Sequence, residues 1–443
     1  MSISNDKAQS NAVRNLSVVS LNKVLQVAGL AVTVALVPRL FGVEDYGRFA
    51  FVLSLSYLGQ VLGDFGTLDV MGRFVPGLTS AEASRLYMRT LAFKVVMGVI
   101  CGLITAGAAL ASAQWMTWAW AGLIGLGVAL HIVTWVPFQF ALGLNRVGTW
   151  MAEQAWRQWA LLVLLLAFLP PLGLGGALLA VLVMEIIFCL LGLWWMRDYW
   201  QTDELRLEWS YLGAYVQFGL TFFLANLVTT TLYRSGPALV DLLTGDSKQT
   251  GYFNLALGLF LLAYITVSQF AQGLIPALSG FRAAGQTTQL RQWLHNFVRY
   301  SWWLSWLGVI GVWLLADWGV PLVFGPEFTP AAASLKWISL GMPLATLLWA
   351  GNVLATVIGR GKVKFTAALL ALLTFIVAAS WLTPLYGAAG AALALSLAVA
   401  ANVAVLSVYL QPEFALNWTM LGSSAVASGL CLGLLNWLST GWN

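Results

Sequence analysis

The feature that most constrains this chain is a series of apolar segments that follow one another with little polar sequence between them. A helix needs about 20 apolar residues to cross the hydrocarbon core of a bilayer. Only 9% of the 443 residues are charged, whereas soluble domains carry about 25%. The chain is therefore predicted to be an all-α polytopic membrane protein. Its composition excludes a soluble globular protein, a disordered chain and a nucleic-acid-binding domain, and no connection is long enough to fold as a catalytic domain outside the membrane.

The apolar segments fall into two sets of six. Residues 1–196 are predicted to form an N-terminal lobe and residues 211–411 a C-terminal lobe, with a polar linker at 197–210. Residues 412–443 contain one more apolar segment, 418–438, which is predicted as a thirteenth transmembrane helix. The twelve other predicted spans are 16–38, 47–70, 87–111, 116–142, 148–169, 175–196, 211–240, 251–279, 292–316, 331–358, 364–384 and 387–410.

The basic residues of the short connections predict the orientation. Alternate connections contain most of them, and the intervening connections contain little beyond Arg39, Arg48 and Lys248. Because Lys and Arg are retained on the cytoplasmic side of membrane proteins, the N-terminus and the linker are predicted to be cytoplasmic. The basic set consists of Lys7, Arg14, Arg73, Arg85, Arg89, Arg146, Arg197, Arg206, Arg282, Arg291, Arg360, Lys362 and Lys364.

The two halves contain related sequence where their first two helices join. Residues 42–49 read GVEDYGRF and residues 243–253 read LTGDSKQTGYF. Each segment combines an acidic turn, a Tyr/Gly pair and a Phe at the start of a helix. Because each half has an even number of spans, both halves run in the same direction through the membrane. The sequence therefore predicts a parallel pseudo-repeat of two six-helix lobes around a central cavity.

Cysteine and histidine are too few to build a metal or haem site. The only histidines are His131 and His295, and the three cysteines lie in apolar segments without CxxC spacing. Such sites need several of these ligands at short spacing. We therefore predict no metal, no cofactor and no disulfide framework. The cysteines are Cys101, Cys189 and Cys431.

Several segments follow one another along nearly the whole chain in the order of a known family. They are 38–42 (PRLFG), 45–49 (DYGRF), 62–66 (LGDFG), 323–328 (VFGPEF) with 331–335, 352–354 (NVL), 359–362 (GRGK) and 384–392 (PLYGAAGAA). In this order they resemble the Wzx-type flippases, the polysaccharide-transporter branch of the multidrug/oligosaccharidyl-lipid/polysaccharide (MOP) flippase superfamily.

This resemblance implies a transport protein and not an enzyme. It would move a polyprenyl-diphosphate-linked oligosaccharide from the cytoplasmic to the periplasmic leaflet of the bacterial inner membrane by alternating access. The product would enter surface polysaccharide: O-antigen of lipopolysaccharide, capsule or exopolysaccharide. The implied partners are this lipid-linked saccharide and membrane lipids, with polysaccharide polymerase and chain-length machinery as candidate protein partners and no nucleic acid.

Polar residues within the first and seventh predicted helices are the candidate substrate-binding groups. An ionisable side chain inside a span is costly and normally faces a cavity or a partner. Lys23 supplies a cation to the first helix and Arg234 one to the seventh, and cations with forked or multiple donors bind a diphosphate. The neighbouring polar residues, expected to contact sugar hydroxyls, are Asn22, Gln26, Asn226, Thr230 and Tyr233.

Both cations also have a structural alternative. Lys23 can pair with Asp64 of the adjacent helix, and Arg234 with Asp241 two turns along the chain. In these pairs Asp64 and Asp241 are candidate ion-pair or coupling residues. The two interpretations are compatible, because a pair can open when substrate arrives.

Glu185 lies near the middle of the sixth predicted helix with no cation within one turn. It is either paired across helices or kept neutral by burial, and we consider proton coupling as its functional alternative. Glu153 and Arg157 are four residues apart, which predicts a pair within one helix. His131 is interpreted as a core residue.

Two other function classes compete with the flippase. A drug exporter of the same superfamily would present acidic groups to an organic cation, whereas Lys23 and Arg234 are basic. A membrane glycosyltransferase or polymerase could use the acidic pair Glu44 and Asp45, but the external turns are too short to bind an acceptor. A channel is disfavoured because the sequence contains no repeated filter-like segment.

Overall fold

The computed structural model describes residues 2–414 apart from 274–277, 279–280 and 282–284. All regular structure in that part of the chain is helical. The predicted span 418–438 lies outside the described residues. The α-helices are α1 (Ser2–Phe41), α2 (Val43–Leu62), α3 (Thr67–Phe74), α4 (Ser80–Ser112), α5 (Trp118–Gly143), α6 (Val147–Trp195), α7 (Trp209–Arg234), α8 (Gly236–Thr244), α9 (Ser247–Gly273), α10 (Thr287–Phe324), α11 (Ala331–Ser339), α12 (Gly341–Ile358) and α13 (Gly361–Phe414).

The packing divides the described chain into two compact units. Unit 1 contains α1 and the chain from Arg48 to Ala238, and unit 2 contains 42–47 and the chain from Leu239 onward. Helix α7 belongs to unit 1, where it packs against α3. The predicted lobes, residues 1–196 and 211–411, are defined by the sequence repeat and not by this packing, and they stay a prediction.

Two helices are too long to be single spans. Helix α6 has 49 residues and α13 has 54, which at 1.5 Å per residue gives roughly 75 and 80 Å against a hydrocarbon core of about 30 Å. Each is interrupted by one non-helical glycine, Gly173 (φ 56°, ψ −142°) or Gly387 (φ 56°, ψ −137°). This backbone conformation is essentially restricted to glycine. Each helix is therefore two consecutive spans, as the sequence predicts for 148–169 with 175–196 and for 364–384 with 387–410.

The two breaks have the same local structure. Three residues after each break a second glycine faces a carbonyl oxygen eight residues earlier in the chain: Gly176 faces Phe168, and Gly390 faces Leu382. A Cβ atom at either glycine would collide with that oxygen. The same turn therefore joins the fifth and sixth predicted spans of each half, which agrees with the predicted parallel repeat.

The helices have the length and hydropathy of membrane spans. Eight of those described can cross a bilayer by these criteria, and two bent pairs, α2 with α3 and the two parts of α7, bring the number to ten. With α6 and α13 counted as two spans each, the total is the predicted twelve. Large apolar side chains on the outside, such as Leu103, Leu304 and Val377 (69–70% exposed), suit contact with lipid.

The related segments of the two halves contact each other within unit 2. A Cβ atom at Gly47 would collide with the carbonyl oxygen of Ser247, and one at Gly251 would lie 2.5 Å from that of Val43. When EDYGRF is aligned with KQTGYF, Gly47 corresponds to Gly251 and Val43 to Ser247. The contact is therefore reciprocal, and the absence of side chains lets the two backbones touch.

Candidate substrate cavity

A polar cavity of about 360 Å³ lies inside unit 1, between residues of α1, α3, α5, α6 and α7 and the α2–α3 connection. We call it the larger cavity. Its charged residues are Asp64, Glu153 and Arg157, and His131 also lines it. Because polar groups inside a membrane bundle are costly, such a lining indicates a functional site. The remaining polar and aromatic lining residues are Gln26, Gln139, Gln154, Gln158, Asn226, Trp135, Phe138 and Trp150.

Four side chains form a buried charge cluster beside this cavity: Glu153, Arg157, Glu185 and His131. Arg157 donates through Nε to Glu153 Oε1 and through Nη1 to Glu185 Oε1, both at 2.6 Å. His131 Nδ1 lies 2.9 Å from the same Glu185 oxygen. The fold-back of α6 at Gly173 brings Arg157 and Glu185 together, although they are 28 residues apart.

The charge cluster borders a second space. This smaller cavity, of about 90 Å³, is mostly apolar and shares His131, Arg157 and Gln158 with the larger one. Glu185 lines the smaller cavity and Glu153 the larger. The guanidinium of Arg157 therefore links carboxylates that face two different cavities.

A buried lysine supports the wall where α2 ends. Lys94 of α4 is fully buried, and its ammonium donates to the carbonyl oxygens of Gly63 (2.6 Å) and Asp64 (2.5 Å). The last carbonyls of a helix lack intrahelical donors and carry partial negative charge. Lys94 binds the two carbonyls just past α2, at the bend of 43° between α2 and α3, where the Asp64 oxygen also accepts from the backbone N–H and hydroxyl of Thr67.

The structure places several predicted site residues around the larger cavity. Gln26, Asp64 and Asn226 line it, and the Asn226 amide donates to the Asp64 carboxylate at 3.2 Å. Lys23 is half-buried and donates to Gln26 Oε1 at 3.1 Å. Thr230 donates to Asn226 Oδ1 at 3.3 Å, and Asn22 is half-buried beside Lys23 on α1.

The other predicted residues lie elsewhere. The Arg234 guanidinium stands over the ring of Tyr57, 4.4 Å from its centre. Tyr233, the residue before Arg234, is buried. Asp241 belongs to unit 2, where it accepts hydrogen bonds from Ser247 (3.3 Å) and Thr250 (3.2 Å).

Three interpretations from the sequence can be compared directly with the structure. The intrahelical pair of Glu153 and Arg157 is confirmed. Of the alternatives for Glu185, the structure has the pairing across helices, with Arg157 and His131. The interpretation of His131 as an ordinary core residue is incomplete, because its ring is bonded to this carboxylate and borders both cavities.

Sequence reasoning missed Lys94 and the bridging role of Arg157. The partners of Lys94 are backbone carbonyls, which cannot be identified from a sequence. Its position within an apolar span was nevertheless a signal of a buried, partnered cation. Within the described residues, no group of three His, Cys, Asp or Glu side chains is placed to hold a metal ion.

The linker is held by ion pairs to the N-terminal part of α4. Glu204 accepts from Arg89 (2.7 Å) and Arg85 (3.0 Å), and Arg89 also pairs with Glu208 at 2.7 Å. The hydrogen bond from Arg89, with a smaller contribution from Arg85, lowers the pKa of Glu204. Arg89 in addition stacks over the ring of Tyr211, 4.5 Å from its centre.

Comparison with known families assigns the chain. Residues 36–333 match the model of a family described as polysaccharide biosynthesis protein, which covers more than half of the chain. The chain belongs to this polysaccharide biosynthesis family. The Wzx-type resemblance read from the motifs is thereby confirmed. No curated protein sequence matches the chain at a significant level.

This member of the polysaccharide biosynthesis family has the fold of MOP-superfamily transporters. The lipid II flippase MurJ in an inward closed conformation has a TM-score of 0.76 at 13% identity, over 95% of this chain and 92% of that one. An inward-facing multidrug resistance transporter of the MATE family has a TM-score of 0.70 at 13% identity, over 93% and 98%. A MOP-superfamily transporter from Pyrococcus furiosus has a TM-score of 0.54 at 13% identity, over 95% and 94%. These neighbours are transport proteins, not enzymes.

Proposed function

We propose that this protein flips a polyprenyl-diphosphate-linked oligosaccharide from the cytoplasmic to the periplasmic leaflet of the bacterial inner membrane. Alternating access carries the movement, and the saccharide is used for O-antigen, capsule or exopolysaccharide. The observation that carries the proposal is a polar cavity within the transporter fold of a chain that belongs to a polysaccharide biosynthesis family.

The chemistry of the substrate suits the polar groups of unit 1. A diphosphate headgroup must exchange its hydration for charge-assisted hydrogen bonds, and Lys23 and Arg234 are the proposed donors. Asn22, Gln26, Asn226, Thr230 and Tyr233 are proposed to contact the saccharide. If no counter-ion moves with the headgroup, an inside-negative potential drives its export by about 2.3 kcal/mol per charge per 100 mV.

The proposal includes a cytoplasmic N-terminus, as the basic residues of the connections suggest. It also includes contact with membrane lipids, and cooperation with the polymerase and chain-length machinery that would use the exported saccharide. Glu185, Asp64 and Asp241 remain the candidates for ion coupling.

The test is mass spectrometry of lipids from host cells with and without the protein. Cells that lack it should accumulate one polyprenyl-diphosphate oligosaccharide and lose the matching surface glycan. Lys23→Ala and Arg234→Ala should each restore export poorly while reaching the membrane, and Arg206→Ala, on the exposed linker, should restore it fully. An unchanged lipid pool in the deletion strain would refute the flippase function.

A second function, export of organic cations, is favoured by the sign of the larger cavity. Asp64 and Glu153 are acidic, and the one basic lining residue, Arg157, is already paired with carboxylates. A cationic drug would be attracted to such a site. Greater sensitivity of the deletion strain to ethidium, with an unchanged lipid pool, would establish this function in place of the first.

A further inference from the structure

The larger cavity combines two kinds of side chain that together recognise polyols. Carboxamides both donate and accept hydrogen bonds, as hydroxyl groups do. Indole rings offer flat apolar faces to the C–H face of a ring. Gln139 and Gln154 are two of five carboxamides in the lining, and Trp135 and Trp150 are its two indoles.

Two buried polar atoms in this wall have no hydrogen-bond partner in the part of the chain that the structure describes. They are Gln139 Oε1 and Arg157 Nη2. Gln139 as a whole residue is 7% exposed. An unsatisfied buried acceptor or donor costs free energy. A hydroxyl-rich ring offers both donors and acceptors, the two kinds of group that these atoms lack.

The charge of the wall disfavours an anion. Asp64 and Glu153 face the larger cavity, and the Arg157 charge is shared between Glu153 and Glu185. Lys94 points its ammonium at backbone carbonyls. A diphosphate would therefore meet more carboxylates than free cations here, and it would be repelled, whereas a neutral ring would not.

We propose that the larger cavity binds an uncharged sugar ring of the transported lipid, and that the diphosphate is bound outside it. The inference rests on the proposed flippase function and deepens it. The volume of about 360 Å³ lies at the lower end of the roughly 300–1,000 Å³ typical of small-molecule pockets, which suits a single sugar unit. Gln139 and Trp150 are the specificity-determining residues.

The test is a titration of the full-length protein in detergent, followed by saturation-transfer NMR. The probes are the methyl glycosides of glucose, galactose and N-acetylglucosamine, inorganic diphosphate, and tetraphenylphosphonium. At least one glycoside should bind saturably. The affinity of the protein for that glycoside should fall roughly tenfold in Gln139→Leu and in Trp150→Phe, because each variant loses one hydrogen bond or one stacking contact. Gln201→Leu and Trp318→Phe, which change exposed residues outside the cavity, should bind as the parent does.

Several results would overturn the inference. These are saturable binding of diphosphate or tetraphenylphosphonium that competes with the glycoside, absence of glycoside binding, and equal glycoside affinity in the cavity and control variants. If Gln139→Leu fails to fold, as judged by size-exclusion chromatography and melting temperature, Gln154→Ala replaces it with the same expectation.

Failure of this inference and failure of the proposed function are separable. Glycoside binding is measured on the purified protein without transport, and the lipid pool is measured in cells without any binding assay. A deletion strain that accumulates the lipid-linked saccharide, together with glycoside affinity that is insensitive to the cavity variants, would refute the sugar site alone.

Discussion

At the scale of single residues, Lys94 performs a task that usually falls to a cap or a water molecule. Its ammonium donates to the carbonyl oxygens of Gly63 and Asp64, which follow the end of α2, and its stem is buried in α4. Removing the ammonium takes a buried charged donor from both carbonyls, and the Asp64 oxygen keeps the backbone N–H and the hydroxyl of Thr67 as donors.

We predict that Lys94→Met lowers the stability of the purified protein by about 2–4 kcal/mol, because the stem is kept and only the charged donor is lost. The measurement is the melting temperature in detergent, followed by tryptophan fluorescence. Lys362→Met, at an exposed position, is the matched control and should melt like the parent. Equal melting of the two variants would show that the carbonyls find other donors.

The bond between Arg157 and Glu185 is also a property of particular residues. Breaking one side of a buried ion pair costs about 3–5 kcal/mol, because the remaining charge stays buried. We predict that Glu185→Leu and Arg157→Met are each strongly destabilising, and that the double variant is less destabilised than the sum of the two.

The measurement is a double-mutant cycle on melting temperature or on unfolding by denaturant. The expected coupling is about 1–3 kcal/mol, as for contacting residues in one network. Additive effects within about 0.5 kcal/mol would contradict a direct interaction.

At the scale of helices, the contact of α2 with α9 depends on two glycines. A methyl group at Gly47 would meet the carbonyl of Ser247, which is backbone and cannot rotate away. We predict that Gly47→Ala reduces stability by about 1–3 kcal/mol or prevents folding. The yield and melting temperature of folded protein measure this.

Gly72→Ala is the control for this prediction. Gly72 is also helical, but no atom lies within 4 Å of the position that its Cβ would take. Alanine there should be neutral or stabilising by about 0.5–1 kcal/mol, from its better helix propensity. The reverse order of the two variants would be inconsistent with the backbone contact.

Helix positions and the breaks of α6 and α13 were predictable from the sequence, but the break inside the predicted span 47–70 was not. Length and hydropathy are enough to locate spans such as 116–142, which is close to α5 (Trp118–Gly143). At the break after Leu62 the carbonyls accept from the ammonium of Lys94, which is 30 residues away from Asp64 in sequence. Local patterns contain no information about such a partner.

The candidate site was predictable only in part for the same reason. Gln26 and Asn226 were found because polar residues at helical spacing in an apolar span are conspicuous. Glu185 had no cation within one turn of its helix, and the fold-back at Gly173 provides Arg157 from the preceding span. The partner of a buried charge becomes apparent only after the chain has been traced in space.

At the scale of the whole molecule, the distribution of basic residues predicts which ends of the helices face the cytoplasm. We expect a cysteine at Thr202, exposed in the linker, to react with a membrane-impermeant maleimide only in inside-out vesicles. A cysteine at Trp118, 83% exposed at the start of α5, should react only in right-side-out vesicles.

The parent protein is the control, because its described cysteines, Cys101 and Cys189, are buried. Labelling of both engineered positions from the same side would rule out the predicted topology. Labelling of each from the side opposite to that expected would instead place the N-terminus in the periplasm.

The lysine at the end of α2 has a consequence for how the protein responds to its surroundings. A cation that is covalently attached to the chain is present at a fixed effective concentration, which dilution cannot change. A sodium or potassium ion at the same carbonyls would come and go with the composition of the medium. The contact at the bend between α2 and α3 therefore requires no cation from the medium.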